Sequence, residues 1–264
     1  MSKEKAELES DANAPEHEES ESGKMSFLEH LDELRKRLLH VAAYIAIGLI
    51  VCWGFHNQIY NFLALPITNQ LPPGTKLAYL NIMESFTVYM KVAFIGGIFL
   101  TIPFTLYEVW KFIAPGLYRK EKRYVVPFLI SSVFLFVLGG AFCYYIVLPA
   151  AFKWLINLGA SFTPVIRISE YLDQVNMMLL GFGLIFEMPV IVAFLSIFGL
   201  VSAKFLWSKF KYSIVGIFAL AAIISPSGDA FNLMLWAAPM VLLYIISIGV
   251  AAIFGRRRKA RGLA

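Results

Sequence analysis

Carboxylates that stand alone in apolar stretches are the side chains of this chain most able to take part in chemistry. Glu187 lies deepest within such a stretch. It lies about ten residues into an apolar segment, in the sequence Gly-Phe-Gly-Leu-Ile-Phe-Glu-Met-Pro. A carboxylate near the middle of a bilayer costs at least about 2.5 to 3.5 kcal/mol, so it indicates a functional site that faces protein or a wet cavity. Pro189 cannot donate a hydrogen bond to the carbonyl of Ile185, which predicts a kink. The structural alternative is a carboxyl bonded to a neighbouring helix of the same chain.

A second group of acids belongs to the stretch 26–39, Ser-Phe-Leu-Glu-His-Leu-Asp-Glu-Leu-Arg-Lys-Arg-Leu-Leu. Ser26 and Glu29 have the spacing of a capping box, and Glu33 precedes Arg37 by four residues, the favourable order for a helical ion pair. The leucines fall on the opposite face. We therefore expect an amphipathic helix at the membrane surface that runs into the first apolar segment. Such a helix either only anchors the first span or also carries binding groups.

The stretch 106–123 combines several aromatic residues and a turn at Pro115-Gly116, and near its end the acid Glu121 stands among four basic residues. An interfacial aromatic belt with positive charges on the inner membrane face would explain this composition. The functional alternative is a surface that binds a charged, partly apolar peptide at the membrane face.

The sequence Ser-Pro-Ser-Gly-Asp ends at Asp229 and predicts a tight turn between two closely spaced apolar segments. Asp is a favoured N-cap residue, so Asp229 either begins the last helix in a structural role or has a function of its own. The sequence leaves both interpretations open.

The elements that position these groups are membrane helices. The chain has 264 residues, of which 59% are hydrophobic, and a mean hydropathy of +0.69, which excludes a soluble domain and indicates an integral membrane protein. Cys52 and Cys143 lie in apolar segments and have neither disulfide nor metal spacing. Residues 1–24 are acidic, lack aromatic residues and have no apolar core, which predicts a disordered tail rather than a signal peptide.

Six apolar segments predict an all-α protein with six transmembrane helices. They cover roughly residues 38–55, 86–104, 125–148, 177–198, 212–224 and 231–254. The fifth segment is short, because thirteen helical residues reach only about 20 Å across a hydrocarbon core of about 30 Å. Seventeen Lys and Arg residues flank one side of these segments and three flank the other, so both termini are expected in the cytoplasm. The expected domains are the tail 1–24, the membrane domain 25–254 and a basic cytoplasmic tail 255–264.

Together these motifs resemble the TatC family, the multispanning subunit of the twin-arginine protein translocase. The resemblance rests on Phe-Leu-Glu-His-Leu-Asp-Glu-Leu-Arg-Lys-Arg-Leu, Trp-Lys-Phe-Ile-Ala-Pro-Gly-Leu-Tyr-Arg-Lys-Glu-Lys-Arg, Phe-Glu-Met-Pro and Ser-Pro-Ser-Gly-Asp. Their order, spacing and membrane side match the family over about residues 25–254. The acidic extension 1–24 departs from the usual pattern, and Ser225 stands where many members have Thr.

The resemblance implies a concave, glove-like bundle in the cytoplasmic (inner) membrane that acts as a receptor for twin-arginine signal peptides of folded precursor proteins. It implies single-span partners of the TatA and TatB type, an oligomer with itself and TatB, and transport driven by the proton-motive force rather than ATP. It implies no enzymatic activity, cofactor, metal or nucleic-acid partner.

Individual positions also match the family's pattern. Glu33 and Glu121 match acids proposed to contact the arginine pair, and Glu187 matches an intramembrane polar site for docking a partner's helix. Pro66 and Pro103 match prolines that have structural roles in the family. Structural roles are also expected for Pro189 and Asp229, from their own sequence context. Other positions of the implied recognition surface are Arg35, Arg37, Phe112, Pro115 and Tyr118.

A proton-coupled small-solute transporter with Glu187 as the proton-binding group is the rival hypothesis. It requires a second ionisable residue within the membrane, and Lys91 is the candidate that the sequence offers. An intramembrane protease is less well supported, because no Gly-x-Ser-x-Gly element occurs in the chain.

Overall fold

The computed structural model describes residues 27–72, 74–113, 125–225 and 228–260. The acidic tail 1–24 lies outside these ranges, as do three candidate site residues, Pro115, Tyr118 and Glu121. The chain divides into two compact units between Leu39 and His40, so that the first helix begins in one unit and ends in the other.

The regular secondary structure of the described ranges is helical, apart from a parallel β-bridge between Ala78 and Arg167, and turns and irregular segments connect the helices. The predicted all-α class is therefore confirmed. A π-helical turn, Cys143–Val147, joins the helix that ends at Phe142 to the helix that begins at Leu148. The helices are α1 (Phe27–Trp53), α2 (His56–Thr68), α3 (Ile82–Ile113), α4 (Val125–Phe142), α5 (Leu148–Leu158), α6 (Ile168–Phe186), α7 (Met188–Ile197), α8 (Ala203–Ser208), α9 (Phe210–Ile224) and α10 (Ala230–Ala260).

Five helical segments of the described ranges are long and apolar enough to cross a membrane. They are Glu29–Trp53, Ile82–Ile113, Val125–Leu158, Ile168–Ile197 and Ala230–Gly255. The helix α9 has 15 residues and so reaches only about 22 Å, short of a hydrocarbon core of about 30 Å. It coincides with the apolar segment that the sequence predicts to be short.

The helix α6 is the centre of the packing. It contacts α3 and α4, while α10 packs on α7, α8 and α9. One face of α6 is completely buried, as the exposures of 0% at Leu172, Val175 and Phe182 show. These apolar contacts fix the position of the segment that ends at Glu187.

Glycines allow the part of α1 after His40 to approach α3 closely. A Cβ on Gly48 would lie 2.7 Å from the carbonyl oxygen of Gly97, closer than real Cβ contacts. The hydroxyl of Thr101 donates to that same carbonyl at 2.8 Å. The crossing therefore depends on the absence of a side chain at both glycines.

Replacing Gly48 by leucine is expected to destabilise the protein strongly. The new side chain meets backbone rather than a flexible side chain, and overpacking of this kind costs about 1 to 3 kcal/mol or more. We expect a lower Tm in detergent, followed by tryptophan fluorescence. Gly249→Leu is the matched control, because a Cβ at Gly249 meets nothing within 4 Å. Equal Tm values for the two variants would contradict this account.

A buried carboxylate, Glu84, ties the start of α3 to the start of α6. Its Oε1 accepts hydrogen bonds from Arg167 Nε at 3.0 Å and from the Ser169 backbone N–H at 3.2 Å. Its Oε2 accepts from the Leu80 backbone N–H at 3.0 Å. The hydrogen bond to Glu84 raises the pKa of the Arg167 guanidinium above its ordinary value, so that this group stays charged.

Arg167→Ala is expected to weaken the contact between the start of α3 and the start of α6. The change leaves the carboxylate of Glu84, whose side chain is 4% exposed, without its cation. We expect a lower Tm and faster amide exchange in residues 78–84. Glu170→Ala is the control, since it removes the other carboxylate bonded to Arg167 but one that is 74% exposed. If Glu170→Ala lowered the Tm as much as Arg167→Ala does, the role of Glu84 would be wrong.

Candidate functional site

Glu187 lies at a break between two helices. The helix α6 ends at Phe186 and α7 begins at Met188, and the Glu187 N–H bonds to the Leu184 carbonyl at 3.1 Å instead of continuing the α-helical pattern. Pro189 occupies the first turn of α7, where a missing N–H is tolerated. The interruption expected from Pro189 is present.

The side chain of Glu187 is buried, with 7% of the residue exposed. Its Oε1 has no hydrogen-bond partner among the described residues, although the Ser132 hydroxyl of α4 interacts with the carboxyl. The indole Nε1 of Trp110 in turn donates to the Ser132 oxygen at 3.2 Å. Helices α3 and α4 therefore support one side of the carboxyl, and Oε1 is buried without a hydrogen-bond partner among the described residues.

Sequence reasoning does not single out Ser132 or Trp110. A serine in an apolar segment and a tryptophan in an aromatic-rich stretch are common in membrane proteins. Trp110 stacks on Phe128 with ring centroids 5.3 Å apart and meets Phe194 edge-on at 5.2 Å. This aromatic cluster holds α3, α4 and α7 together next to Glu187.

The charged start of α1 carries the second candidate group. Arg37 Nη2 donates to Glu33 Oε1 at 3.0 Å, so the predicted ion pair forms. The Glu33 side chain is only 14% exposed, and its Oε2 has no hydrogen-bond partner among the residues that the structure covers. Arg35 is exposed on the same turn of helix. Glu33 is thus a partly buried carboxylate with one oxygen paired and the other buried and unpaired among the described residues.

Of the remaining residues of the implied recognition surface, only Phe112 lies within the described ranges. Phe112 lies half-buried in the last turn of α3. Glu121, Pro115 and Tyr118 lie outside the described residues, so the structure does not test the pairing of Glu33 with Glu121, which stays a prediction.

A further carboxylate, Glu108, is not among the site residues that the sequence predicts. It is buried on α3 with 3% exposure, and its Oε1 accepts a hydrogen bond from the Tyr44 hydroxyl at 3.3 Å. His40 Nδ1 lies 3.7 Å from the same oxygen. The contacting residues lie more than 60 positions earlier in the chain, so local sequence patterns give no signal for this cluster.

Pro66 and Asp229 have contacts that explain their positions. Pro66 lies inside α2 and cannot bond the Phe62 carbonyl, which instead accepts the Tyr144 hydroxyl at 2.6 Å. Asp229 precedes α10 and accepts bonds from the backbone N–H and the side-chain amide of Asn232 at 2.9 and 2.8 Å. Asp229 therefore caps the start of α10, which is the structural one of the two roles that the sequence leaves open for it. Pro103 lies inside α3.

Comparisons with known proteins agree on one family. The family described as Sec-independent protein translocase protein (TatC) matches residues 29–239. A protein of that description from Koribacter versatilis is 52% identical over 242 residues, which cover 90% of this chain and 89% of the relative. The Escherichia coli K12 protein of the same description is 38% identical, covering 87% of this chain and 90% of the relative.

A solved structure gives the same result for the fold. The crystal structure of the twin arginine translocase receptor TatC superposes with a TM-score of 0.76 at 36% identity and covers 85% of this chain and 99% of that chain. Sequence and fold therefore agree over most of the length, and this chain belongs to the TatC family of Sec-independent protein translocase components.

Proposed function

We propose that this chain is the receptor subunit of a twin-arginine translocase and binds the arginine pair of signal peptides through Glu33 and Glu121. The observation that carries the proposal is the partly buried carboxylate of Glu33 on the charged start of α1, whose Oε2 has no hydrogen-bond partner among the described residues. A guanidinium binds a carboxylate with two parallel hydrogen bonds, whereas a lysine ammonium offers a point charge. Arg37 holds the other oxygen of Glu33 and so fixes the carboxylate for an incoming donor.

Carboxylates alone give too little affinity. Exposed ion pairs contribute about 0 to 1 kcal/mol each, so a second source of binding energy is required. The apolar stretch of a signal peptide can supply it by packing on membrane-facing side chains. Leu38, Ile47 and Ile50 of α1, with exposures of 65%, 59% and 71%, are available for such packing.

The proposed arrangement has six spans and both termini in the cytoplasm, in the inner membrane. The distribution of basic residues supports this orientation, and α9 supplies the sixth span if the bilayer thins or flanking residues such as Lys209 and Lys211 snorkel. Transport of folded precursors then draws on the proton-motive force.

Glu187 is the proposed docking point for the membrane helix of a TatA- or TatB-type partner. A buried acceptor without a hydrogen-bond partner costs free energy in the isolated subunit, and a polar group on a partner's helix would remove that cost. The break between α6 and α7 is thus the proposed site of assembly, both with single-span partners and into a larger oligomer.

The rival transporter hypothesis predicts that Lys91 is a second ionisable residue within the membrane that accompanies Glu187. Lys91 Nζ lies 2.6 Å from an Asp173 oxygen and donates to the Ser169 hydroxyl at 3.1 Å, so it forms an ion pair at one end of α6.

An experiment with purified protein in liposomes distinguishes a signal-peptide receptor from a solute transporter. We expect saturable binding of a twin-arginine peptide and no proton-coupled solute flux, and flux without peptide binding would favour the transporter.

A further inference from the structure

A cavity of about 270 Å³ lies between α2, α3 and α4, and Leu179 of α6 also lines it. The described residues of its wall are aliphatic, aromatic or glycine. Protein interiors are close-packed and hold few voids larger than a water molecule, so a cavity of this size indicates room for a ligand. We call it the α3–α4 pocket, and its wall includes Phe62, Gly96, Phe99, Gly140 and Ala141.

The α3–α4 pocket lies at the middle of the membrane-spanning segments and opens to the outside of the helices. Gly96 and Ala141 are within two residues of the midpoints of the long apolar segments that contain them. Phe62, Val137 and Tyr145 line the pocket as well, yet they are 47%, 47% and 68% exposed. At this depth an exposed surface meets the hydrocarbon of the bilayer. Lipid chains can therefore reach the pocket from the side.

The pocket is built by contacts that keep its walls apart. The Tyr144 hydroxyl donates to the Phe62 carbonyl at 2.6 Å, and the two rings stack with centroids 4.2 Å apart, which fixes α2 on α4. Tyr144 belongs to the π-helical turn Cys143–Val147, an irregularity that is frequent at functional sites. A Cβ on Gly140 would lie 2.6 Å from the ring of Phe99, so a larger residue does not fit there. The walls do not collapse, and an empty pocket would cost free energy in proportion to its volume.

The chemistry and size of the pocket favour an acyl chain over water or another helix. Water in a cavity needs several polar partners, whereas this wall is apolar and the Tyr144 hydroxyl is already bonded to the Phe62 carbonyl. A helix about 10 Å wide would fill 270 Å³ after entering only about 3 Å. An acyl chain is narrow, flexible and apolar, and apolar cavities in proteins do take up hydrocarbon ligands.

We propose that the α3–α4 pocket binds one acyl chain of a membrane phospholipid. The bound chain fills the space between α2, α3 and α4 and joins the bilayer to the fold at the middle of the membrane. The residues that line the pocket differ from those proposed above for peptide and partner binding, so acyl-chain binding is tested separately from receptor activity.

Photolabelling with a lipid tests this site. The wild-type protein is reconstituted in liposomes that contain a phosphatidylcholine with a diazirine near the methyl end of one acyl chain. It is then exchanged into detergent to remove loosely held lipid, irradiated and mapped by mass spectrometry of its peptides. The pocket positions are Val137, Ala141 and Tyr145, and the control positions on the exposed face of α4 are Val126, Ile130 and Phe134, which are 61%, 64% and 62% exposed.

We expect several-fold more label at the pocket positions than at the control positions, because a chain held in a pocket dissociates more slowly than lipid on an open surface. Ala141→Leu places a larger side chain in the pocket and is expected to reduce the label there to the control value. Val126→Leu is the matched change outside the pocket and should leave the labelling as in wild type, and the Tm in detergent shows whether each variant folds.

Equal labelling of pocket and control positions in the wild-type protein overturns the proposal, whatever the variants do. Pocket labelling that persists in a folded Ala141→Leu variant overturns it too.

Discussion

The double variant Glu33→Ala plus Glu121→Ala is expected to bind a precursor with Arg-Arg no better than one with Lys-Lys. Arg37 donates to Glu33 Oε1, while Oε2 has no hydrogen-bond partner among the described residues, so the carboxylate has acceptor sites left for a guanidinium. Two charge-assisted pairs are together worth about 1 to 3 kcal/mol, or roughly 5-fold to 150-fold in affinity. Removing both acids should therefore remove most of the discrimination.

Photo-cross-linking of both precursors to membranes that contain each receptor measures this effect. Asp32→Ala is the matched control, because Asp32 is an exposed acid next to Glu33 on the same helix. It should keep the preference for Arg-Arg. If the double variant also kept the wild-type preference, the proposed contact with the arginine pair would be wrong.

The second large effect is expected at Glu187. Glu187→Ala removes the buried carboxyl at the helix break and should reduce copurification of the single-span partners at least about tenfold, since a buried hydrogen bond to a charged group is worth about 1.5 to 3 kcal/mol. Glu187→Gln should retain much of the binding, because its carboxamide oxygen still accepts a hydrogen bond.

Copurification from detergent extracts, quantified against the recovered amount of this chain, measures the loss. Glu170→Ala serves as the control, since it removes a carboxylate with 74% exposure at the other end of α6. Unfolding must be monitored in parallel, because Glu187 also interacts with Ser132. A Glu187→Ala variant that folds and retains its partners at the wild-type level would exclude the docking role.

The family and the helical architecture were both predictable from the sequence. Family membership confirms that the chain is a membrane component of a protein translocase rather than an enzyme. Apolar segments of sufficient length predict the long helices directly, because backbone groups in a bilayer must be bonded within the segment. The break before Pro189 follows equally directly from its missing N–H, and the cap at Asp229 from its carboxylate.

Contacts between distant parts of the chain could not be predicted. The Tyr144 hydroxyl that satisfies the carbonyl freed by Pro66 lies 82 residues from its acceptor. The pairing of Lys91 with Asp173 spans a similar distance, and so does the Arg167 bond to Glu84. Such pairs depend on which helix faces meet, whereas periodicity within one helix shows only that a face is apolar.

The helix α6 illustrates the same limit. Met177 and Leu184 on one face and Leu172, Val175 and Phe182 on the other are equally apolar in the sequence. Only the fold shows that the second face packs within the chain.

The central claim, that this chain recognises the arginine pair of a signal peptide, is tested most directly by the affinities of the purified wild-type protein in liposomes for two peptides that differ only in Arg-Arg against Lys-Lys. We predict that the Kd for the Lys-Lys peptide is higher by roughly tenfold or more, since lysine cannot form the bidentate pair with a carboxylate. Equal Kd values for the two peptides would contradict the claim.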